Sequence, residues 1–236
     1  MPSEPSRRHR VLKRSKGMNM NRRDFSASFV GTGLSAAALL AWPSARAQSP
    51  VEPVEGREFT KLTPAQPPTA PGKIEVLEFF SYACPHCNAF EPTIAAWAKT
   101  LPADVALHRV PVPFLMNADN FQHAYYALET IGAVDAMQMK IFQAIHVDRL
   151  RLEKGEDIAA FVGKNGVDAN KFLAAFKSFS VATSVSRAKK LTADYKVESV
   201  PLLAVAGRYL TSPALANGGP QSLAVVDALV QRTRKG

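Results

Sequence analysis

Residues 78–87 read EFFSYACPHC, and within them a strand pattern gives way to the start of a helix. The segment from Lys73 to Ser81 alternates with largely apolar residues on both faces, which predicts a central strand covered on both sides. Pro85 suits the first turn of a helix, because its missing N–H would have no intrahelical partner there. We therefore predict a strand that ends shortly before Cys84 and a helix from Cys84 to Thr100.

The rest of the chain extends this unit into an α/β pattern with a long helical block. Pro92 lies inside the predicted helix, so a kink or a break is expected near Ala89 to Glu91. Residues 117–195 have a helical period throughout, and a final helix carries Leu223, Val226 and Val230. Further strands are predicted at 59–62, 105–112, 201–206 and 209–211, the last two joined by a turn at Gly207. The order is a short strand, then strand, helix, strand, helical block, two strands and helix.

The net charge of +9 is concentrated at the amino terminus. Residues 1–47 carry nine Lys and Arg against two acids, which leaves 20 basic and 18 acidic residues in 48–236. Phosphate binding needs clustered Lys and Arg on the folded surface. The sequence therefore does not favour a nucleic-acid partner.

Residues 1–47 have the pattern of an export signal. A basic stretch precedes an apolar one from Phe25 to Trp42, and Ala45 to Ala47 form a small-x-small cleavage site. The paired Arg22 and Arg23 resemble a twin-arginine signal, while a general secretory signal is the alternative. Both routes lead out of the cytoplasm, so we expect a periplasmic protein that begins near Gln48.

Cys84 and Cys87 are the two cysteines of the chain. A thiol at the amino end of a helix faces unpaired N–H groups, which favours the thiolate of Cys84, and Cys87 lies one turn later on the same face. His86 between them can add to this effect if it is protonated. Because a stabilised thiolate makes the disulfide a stronger oxidant, the pattern predicts a donor of disulfides.

Three other roles for the cysteine pair fit the sequence less well. A static disulfide closing so small a ring would constrain little chain entropy. A zinc site lacks a second cysteine pair and a histidine at ligand spacing, so no metal is expected. Haem attachment requires His directly after the second cysteine, where Asn88 stands.

Two further segments are candidates for the same site. Glu78 lies on an apolar strand, where a buried carboxylate would have a raised pKa and could exchange the proton of Cys87; the alternative is a strand-edge glutamate in water. Val200 and Pro201 open a strand after the helical block. A cis bond there would turn the Val200 backbone toward the cysteines, although Pro at a strand start is usually trans.

The motif in residues 78–87 resembles the active-site segment of the DsbA family, whose redox motif is Cys-Pro-His-Cys. Ser199, Val200 and Pro201 match its Val before a cis-proline, and the resemblance covers roughly residues 56–234. It implies a thioredoxin-like fold with an inserted all-helical domain: thioredoxin-like parts at 48–116 and 196–236, and the insertion at 117–195. It also implies that Cys84 is the attacked surface cysteine and Cys87 the buried resolving one. The roles of the other residues follow in the same way: Pro85 completes the motif, His86 tunes oxidising power, Glu78 is the buried acid, and Val200 and Pro201 face the substrate.

The resemblance also implies partners and leaves rivals open. Exported proteins with reduced cysteines would be substrates, a quinone-linked membrane protein of the DsbB kind would be the re-oxidant, and the redox-active disulfide would be the sole cofactor. A monomer is expected. One rival is an isomerase or reductase of the same superfamily, although residues 48–72 are too few for the amino-terminal dimerisation domain of such isomerases. The other is a copper chaperone that uses the cysteines as ligands, but Met116, Met137 and Met139 lie far from them in sequence.

Overall fold

The computed structural model describes residues 52–68 and 72–235, so the predicted export signal lies outside the described residues. Within them the strands are β1 (Thr60–Lys61), β2 (Ile74–Phe80), β3 (Val105–Pro111), β4 (Leu202–Val205) and β5 (Tyr209–Thr211). The helices are α1 (Pro85–Ala98), α2 (Ala118–Thr130), α3 (Val134–His146), α4 (Gly155–Lys164), α5 (Ala169–Phe176), α6 (Phe179–Asp194) and α7 (Gly219–Lys235). This order matches the predicted one.

The five strands form one mixed sheet in the order β1-β5-β4-β2-β3. Strand β2 is parallel to β3 and antiparallel to β4, and every residue of β2 after Ile74 is buried. The prediction of a central strand covered on both sides is therefore confirmed. The parallel register places Glu78 directly beside Arg109 of β3.

Two hydrophobic clusters cover the sheet. The smaller joins Val76 and Leu203 of the sheet to Ile94 of α1 and Val226 of α7. The larger joins sheet residues such as Phe79 to the helices of the block, with contributions from Leu128, Ile141, Phe172, Val185 and others. The helical block, which lies between β3 and β4 in the chain, thus shares its core with the sheet.

Helix α1 differs from expectation at Pro92. The helix runs without a break from Pro85 to Ala98, so of the two expected outcomes near Ala89 to Glu91 the break is wrong, while the kink stays a prediction. An interior proline costs about 3 kcal/mol or more, because it removes a hydrogen bond and crowds the preceding turn. Phe90 and Ile94 are buried against the sheet and α7, and each such burial contributes roughly 1.5–3 kcal/mol. Tertiary packing therefore offsets the proline.

The hairpin between β4 and β5 follows prediction. Three residues join the strands, and the hydrogen bond from the Arg208 N–H to the Val205 carbonyl closes a turn whose central residues, Ala206 and Gly207, have φ angles of 53° and 65°. Positive φ at both central positions is typical of the tight turn whose twist matches the flanking strands. This turn sets the register in which Leu203 pairs with Thr211.

Candidate functional site

The cysteines lie where β2 passes into α1. Cys84 is the N-cap residue of α1, with extended backbone angles, and Pro85 takes the first helical position. The Cys87 backbone N–H donates to Cys84 Sγ at 3.4 Å. The structure has both side chains as free thiols. The cap position thus directs helix N–H groups at the sulfur of Cys84.

The two thiols are shifted in opposite directions. A hydrogen bond from the Cys87 thiol, with further help from backbone N–H groups and the charge of His86, lowers the pKa of Cys84 to about 6 against the opposing effect of burial. The same thiol–thiol bond and burial raise the pKa of Cys87 well above its usual range, and the charge of Glu78 adds to this. Cys84 is therefore the thiolate of the pair at neutral pH, while Cys87 keeps its proton.

Cys84 is less open to solvent than the family resemblance implies. It is only 5% exposed, against 1% for Cys87, so its description as a surface cysteine needs correction. One reason is the loop before β4: the Val200–Pro201 peptide bond is cis, and the Val200 carbonyl oxygen lies 3.4 Å from Cys84 Sγ, which donates to it when Cys84 is protonated. The structure thus brings Val200 and Pro201 to the cysteines, across 116 residues of sequence.

A groove of about 620 Å³ opens beside the cysteine motif. Its lining is largely apolar and comes from three parts of the chain: His86 and Phe90 of α1, Val200 and Pro201 before β4, and Pro213 and Pro220 after β5. An apolar groove of this kind suits the apolar side chains of an extended or unfolded segment better than it suits a charged segment. Substrate contact at this place would bring a cysteine close to Cys84.

Beneath the cysteines lies a buried cluster of three charged side chains. Arg109 donates from Nε to Glu78 and from a guanidinium nitrogen to Glu91, each at 2.8 Å. The side chains of Glu78 and Glu91 are 1% and 3% exposed. The buried alternative for Glu78 is thus confirmed, and we call the three residues the carboxylate cluster.

The charges of this cluster do not balance, because one guanidinium faces two carboxyl groups. Burial raises the pKa of Glu78, against the opposing pull of Arg109. Burial and the charge of Glu78 raise the pKa of Glu91 to about 7, again against Arg109. One proton shared between the two carboxyl groups therefore exchanges close to neutral pH.

Two polar side chains continue the cluster toward the helical block. The Tyr82 hydroxyl donates to Gln138 Oε1 at 2.6 Å, and Gln138 Nε2 donates to Glu91 at 3.4 Å. Tyr82 is fully buried and Gln138 is 3% exposed. Gln138 belongs to α3, so the hydrogen bonds run from the block into the redox site.

Sequence reasoning missed Arg109, Glu91, Tyr82 and Gln138. Two signals were available: Glu91 follows Cys87 by four residues, which places both on one helix face, and Arg109 is a lone charge in a predicted apolar strand. The contact with Gln138 had no such signal, because it depends on how α3 packs against α1.

Metal-binding clusters and membrane-spanning helices are both absent from the described residues. In residues 52–68 and 72–235 no group of three or more His, Cys, Asp or Glu side chains is arranged to hold a metal ion. Across the same described ranges, no helix combines the length and apolarity needed to cross a membrane.

Comparison with known proteins places these features in a family. The DSBA-like thioredoxin domain model matches residues 75–229. The thiol:disulfide interchange protein DsbA of Bordetella parapertussis is 41% identical over 212 residues, which span 89% of this chain and 98% of that protein. The DsbA of Pseudomonas syringae pv. tomato is 39% identical over 198 residues, 84% of this chain and 92% of the relative.

Solved structures agree with this. The crystal structure of Pseudomonas aeruginosa DsbA matches with a TM-score of 0.73 and 38% identity, covering 76% of this chain and 94% of that one. The oxidoreductase DsbA from Xylella fastidiosa matches with a TM-score of 0.72 and 28% identity, over 78% and 100%. The predicted thioredoxin-like α/β fold is confirmed, and the chain belongs to the DSBA-like thioredoxin domain family of thiol-disulfide oxidoreductases.

Proposed function

We propose that this protein donates its Cys84–Cys87 disulfide to reduced cysteine pairs of exported proteins. The observation that carries this direction is the opposed shift of the two thiols, with the pKa of Cys84 lowered to about 6 by hydrogen bonds to its sulfur. Stabilising the Cys84 thiolate stabilises the dithiol form relative to the disulfide. The disulfide is then a strong oxidant, and Cys84 is a good leaving group.

The reaction is two thiol–disulfide exchanges. A substrate thiolate attacks Cys84 Sγ, the bond to Cys87 breaks, and the Cys87 sulfur leaves as a thiolate that takes up a proton. The second substrate thiolate then attacks the substrate sulfur of the mixed disulfide, and Cys84 leaves as the stabilised thiolate. Two electrons pass from the substrate to the cysteine pair, and the substrate gains one disulfide. Of the two substrate protons, one is balanced by the proton that Cys87 takes up, and the other is released to solvent because Cys84 remains a thiolate.

The neighbouring residues are assigned roles in these steps. Pro85 begins α1, and the backbone N–H groups of the first turn of this helix face Cys84. The positive charge of His86 also favours the Cys84 thiolate. Glu78 exchanges the proton of Cys87, whose pKa its charge helps to raise. The Val200 carbonyl, presented beside Cys84 by cis-Pro201, pairs with the backbone of a bound substrate segment.

The place of action and the partners belong to the same proposal. The pattern of residues 1–47 supports export to the periplasm, where disulfides persist. A membrane oxidase of the DsbB kind, linked to quinones, would restore the disulfide after each turnover. The protein would act as a monomer, with its own cysteine pair as the redox group and no added cofactor.

Equilibration with glutathione buffers tests the direction of transfer. We expect a redox potential well above the roughly −270 mV of thioredoxin, together with stoichiometric oxidation of a reduced two-cysteine peptide by the pure disulfide form. Cys84→Ser serves as the inactive control. A potential as reducing as that of thioredoxin would overturn the oxidase assignment.

A further inference from the structure

The helical block contributes the amide of Gln138 to the surroundings of the carboxylate cluster. The amide lies between the Tyr82 hydroxyl at 2.6 Å and the Glu91 carboxyl group at 3.4 Å. Buried polar groups of this kind are costly unless their partners are all in place. A buried polar contact between α3 and α1 therefore suggests a role beyond packing.

The tyrosine decides which end of the amide faces Glu91. The Tyr82 hydroxyl donates its proton to Gln138 Oε1. The Nε2 donor is therefore turned toward Glu91. If the amide were reversed, its oxygen would face a carboxylate and repel it.

We propose that Gln138 is a positioning residue through which the helical block favours the ionised form of Glu91, and so biases which carboxyl group of the carboxylate cluster holds the shared proton. This inference rests on the proposed function, because its consequence for catalysis passes through Glu78 and Cys87. The hydrogen bonds from Tyr82 to Gln138 and from Gln138 to Glu91 do not depend on the proposed function.

The charges around Glu91 give the direction of the effect. Arg109 of β3 and the Gln138 amide favour the ionised form of Glu91, while Glu78 of β2 opposes it. The Tyr82 hydroxyl is itself kept protonated, since burial and the charge of Glu91 raise its pKa. Removing the amide donor therefore moves the shared proton toward Glu91.

A proton on Glu91 changes Glu78. Once Glu91 is neutral, Glu78 no longer shares Arg109 with a second negative charge, so it ionises at lower pH. Glu78 is also the carboxylate whose charge acts on Cys87. The amide of Gln138 thus sets the pH range in which Glu78 is able to accept the proton of Cys87.

The first test is a direct titration of Glu91 by carbon NMR of glutamate-labelled protein, with the signal identified from Glu91→Gln. Gln138→Met keeps the volume of the side chain and removes the donor. We expect the midpoint of Glu91 to rise by about half to one pH unit, since one long hydrogen bond to a carboxylate is lost. Tyr82→Phe should shift it in the same direction by less, because the amide is then no longer oriented.

Gln122→Met is the matched control. Gln122 is a fully buried glutamine of the helical block whose Nε2 donates to the Pro111 carbonyl at 2.7 Å, away from the carboxylate cluster. Its loss should lower stability and leave the titration of Glu91 unchanged. Should Gln138→Met fail to fold, Tyr82→Phe carries the test, since it removes one oxygen atom.

The second test is the pH profile of Cys87 attack on a mixed disulfide between Cys84 and glutathione. The acid limb of this rate should move to lower pH in Gln138→Met and stay in place in Gln122→Met. Unchanged titration of Glu91 in the folded Gln138 and Tyr82 variants would overturn the inference. A wild-type protein that fails to oxidise the peptide would instead remove the proposed function, while the titration of Glu91 still judges the role of Gln138.

Discussion

Cys84 and Cys87 are separated by one helical turn but receive different hydrogen bonds. Cys84 is the N-cap residue and accepts from a backbone N–H, whereas Cys87 is inside the helix and donates its thiol proton to Cys84. The helix end is electropositive, and this effect fades within the first turn. The same side-chain type therefore becomes a thiolate at one position and a protonated thiol three residues later.

Glu78→Gln tests the proposed proton exchange at this scale. The variant keeps the shape of the side chain and removes its basicity, so Cys87 loses its proton acceptor when it resolves a mixed disulfide. We expect this step to slow on the order of 100-fold. The measurement is quenched flow with mass spectrometry, following the glutathione adduct of Cys84 after reduced protein meets oxidised glutathione.

Glu129→Gln is the comparison for that experiment. Glu129 is a partly buried carboxyl group of α2 with a raised pKa, caused chiefly by burial, and it contacts Tyr125 instead of the cysteines. Its loss should leave the resolving rate unchanged. Equal adduct lifetimes in the wild type and Glu78→Gln would show that water, and not Glu78, accepts the proton of Cys87.

Among the helices, close packing in the block depends on a residue without a side chain. Gly155 begins α4, and a Cβ atom built there would lie 2.7 Å from Cε1 of Phe176 in α5. Real Cβ atoms do not approach a ring so closely. The absence of a side chain at Gly155 thus allows α4 and α5 to pack at their observed separation.

Gly155→Ala should consequently destabilise the protein. Alanine favours a helix by roughly 0.5–1 kcal/mol over glycine, but overpacking a core costs typically about 1–3 kcal/mol. The cost of overpacking is larger than the gain in helix propensity, so we expect the free energy of unfolding in urea to fall by about 1–2 kcal/mol. The redox potential should not change, because the contact between Gly155 and Phe176 involves neither the cysteines nor the carboxylate cluster.

A double-mutant cycle with Phe176→Leu identifies the cause of that loss. If the ring is what the new methyl group meets, the two substitutions together should cost less than the sum of each alone. Additive losses, or a gain in stability from Gly155→Ala, would contradict the packing explanation.

Over the whole molecule, the helical block and the sheet share one core. Phe80 of β2 packs edge-on against Tyr125 of α2 and contacts Phe142 of α3. Because the redox site sits on this same strand and helix α1, the ionisation of Cys84 is linked to the stability of the entire described fold.

The stability of the reduced form should therefore depend on pH. The pKa of Cys84 is lowered to about 6, whereas a thiol in the unfolded chain keeps its ordinary pKa of 9.0. The thiolate thus stabilises the reduced form fully above the unfolded value, and this contribution is lost as pH falls through about 6. We expect the free energy of unfolding of the reduced form, relative to that of the oxidised form, to rise between these pH values by at most about 1.4 kcal/mol per pH unit, and its Tm to rise with it.

Paired thermal scans of the two redox forms measure this difference. Carboxyl groups titrate in both forms, so subtracting the two curves isolates the thiols, and Cys87 stays protonated throughout because its pKa is raised. The difference in Tm between Cys84→Ser and the oxidised wild type should not rise with pH, because the variant lacks the Cys84 thiolate. A constant difference in Tm across this range would contradict the lowered pKa of Cys84.

Much of the fold and half of the site were accessible from sequence. Period and alternation located β2, β3 and all helices of the block, and the motif placed Cys84, Pro85, His86 and Cys87 at the start of α1. Local patterns suffice there because each element is specified by its own residues. The domain boundaries at 48–116, 117–195 and 196–236 stay a prediction.

What the sequence by itself determined is local: the apolar strand, the helix that begins at Pro85, and the cysteine pair at its end. The tertiary structure alone decided which residues distant in sequence lie near this cysteine pair. It kept α1 continuous through Pro92, set Arg109 beside Glu78 by strand register, and brought Gln138 to Glu91. Backbone propensity acts over a few residues, whereas the charge on a buried carboxyl group depends on every side chain packed around it.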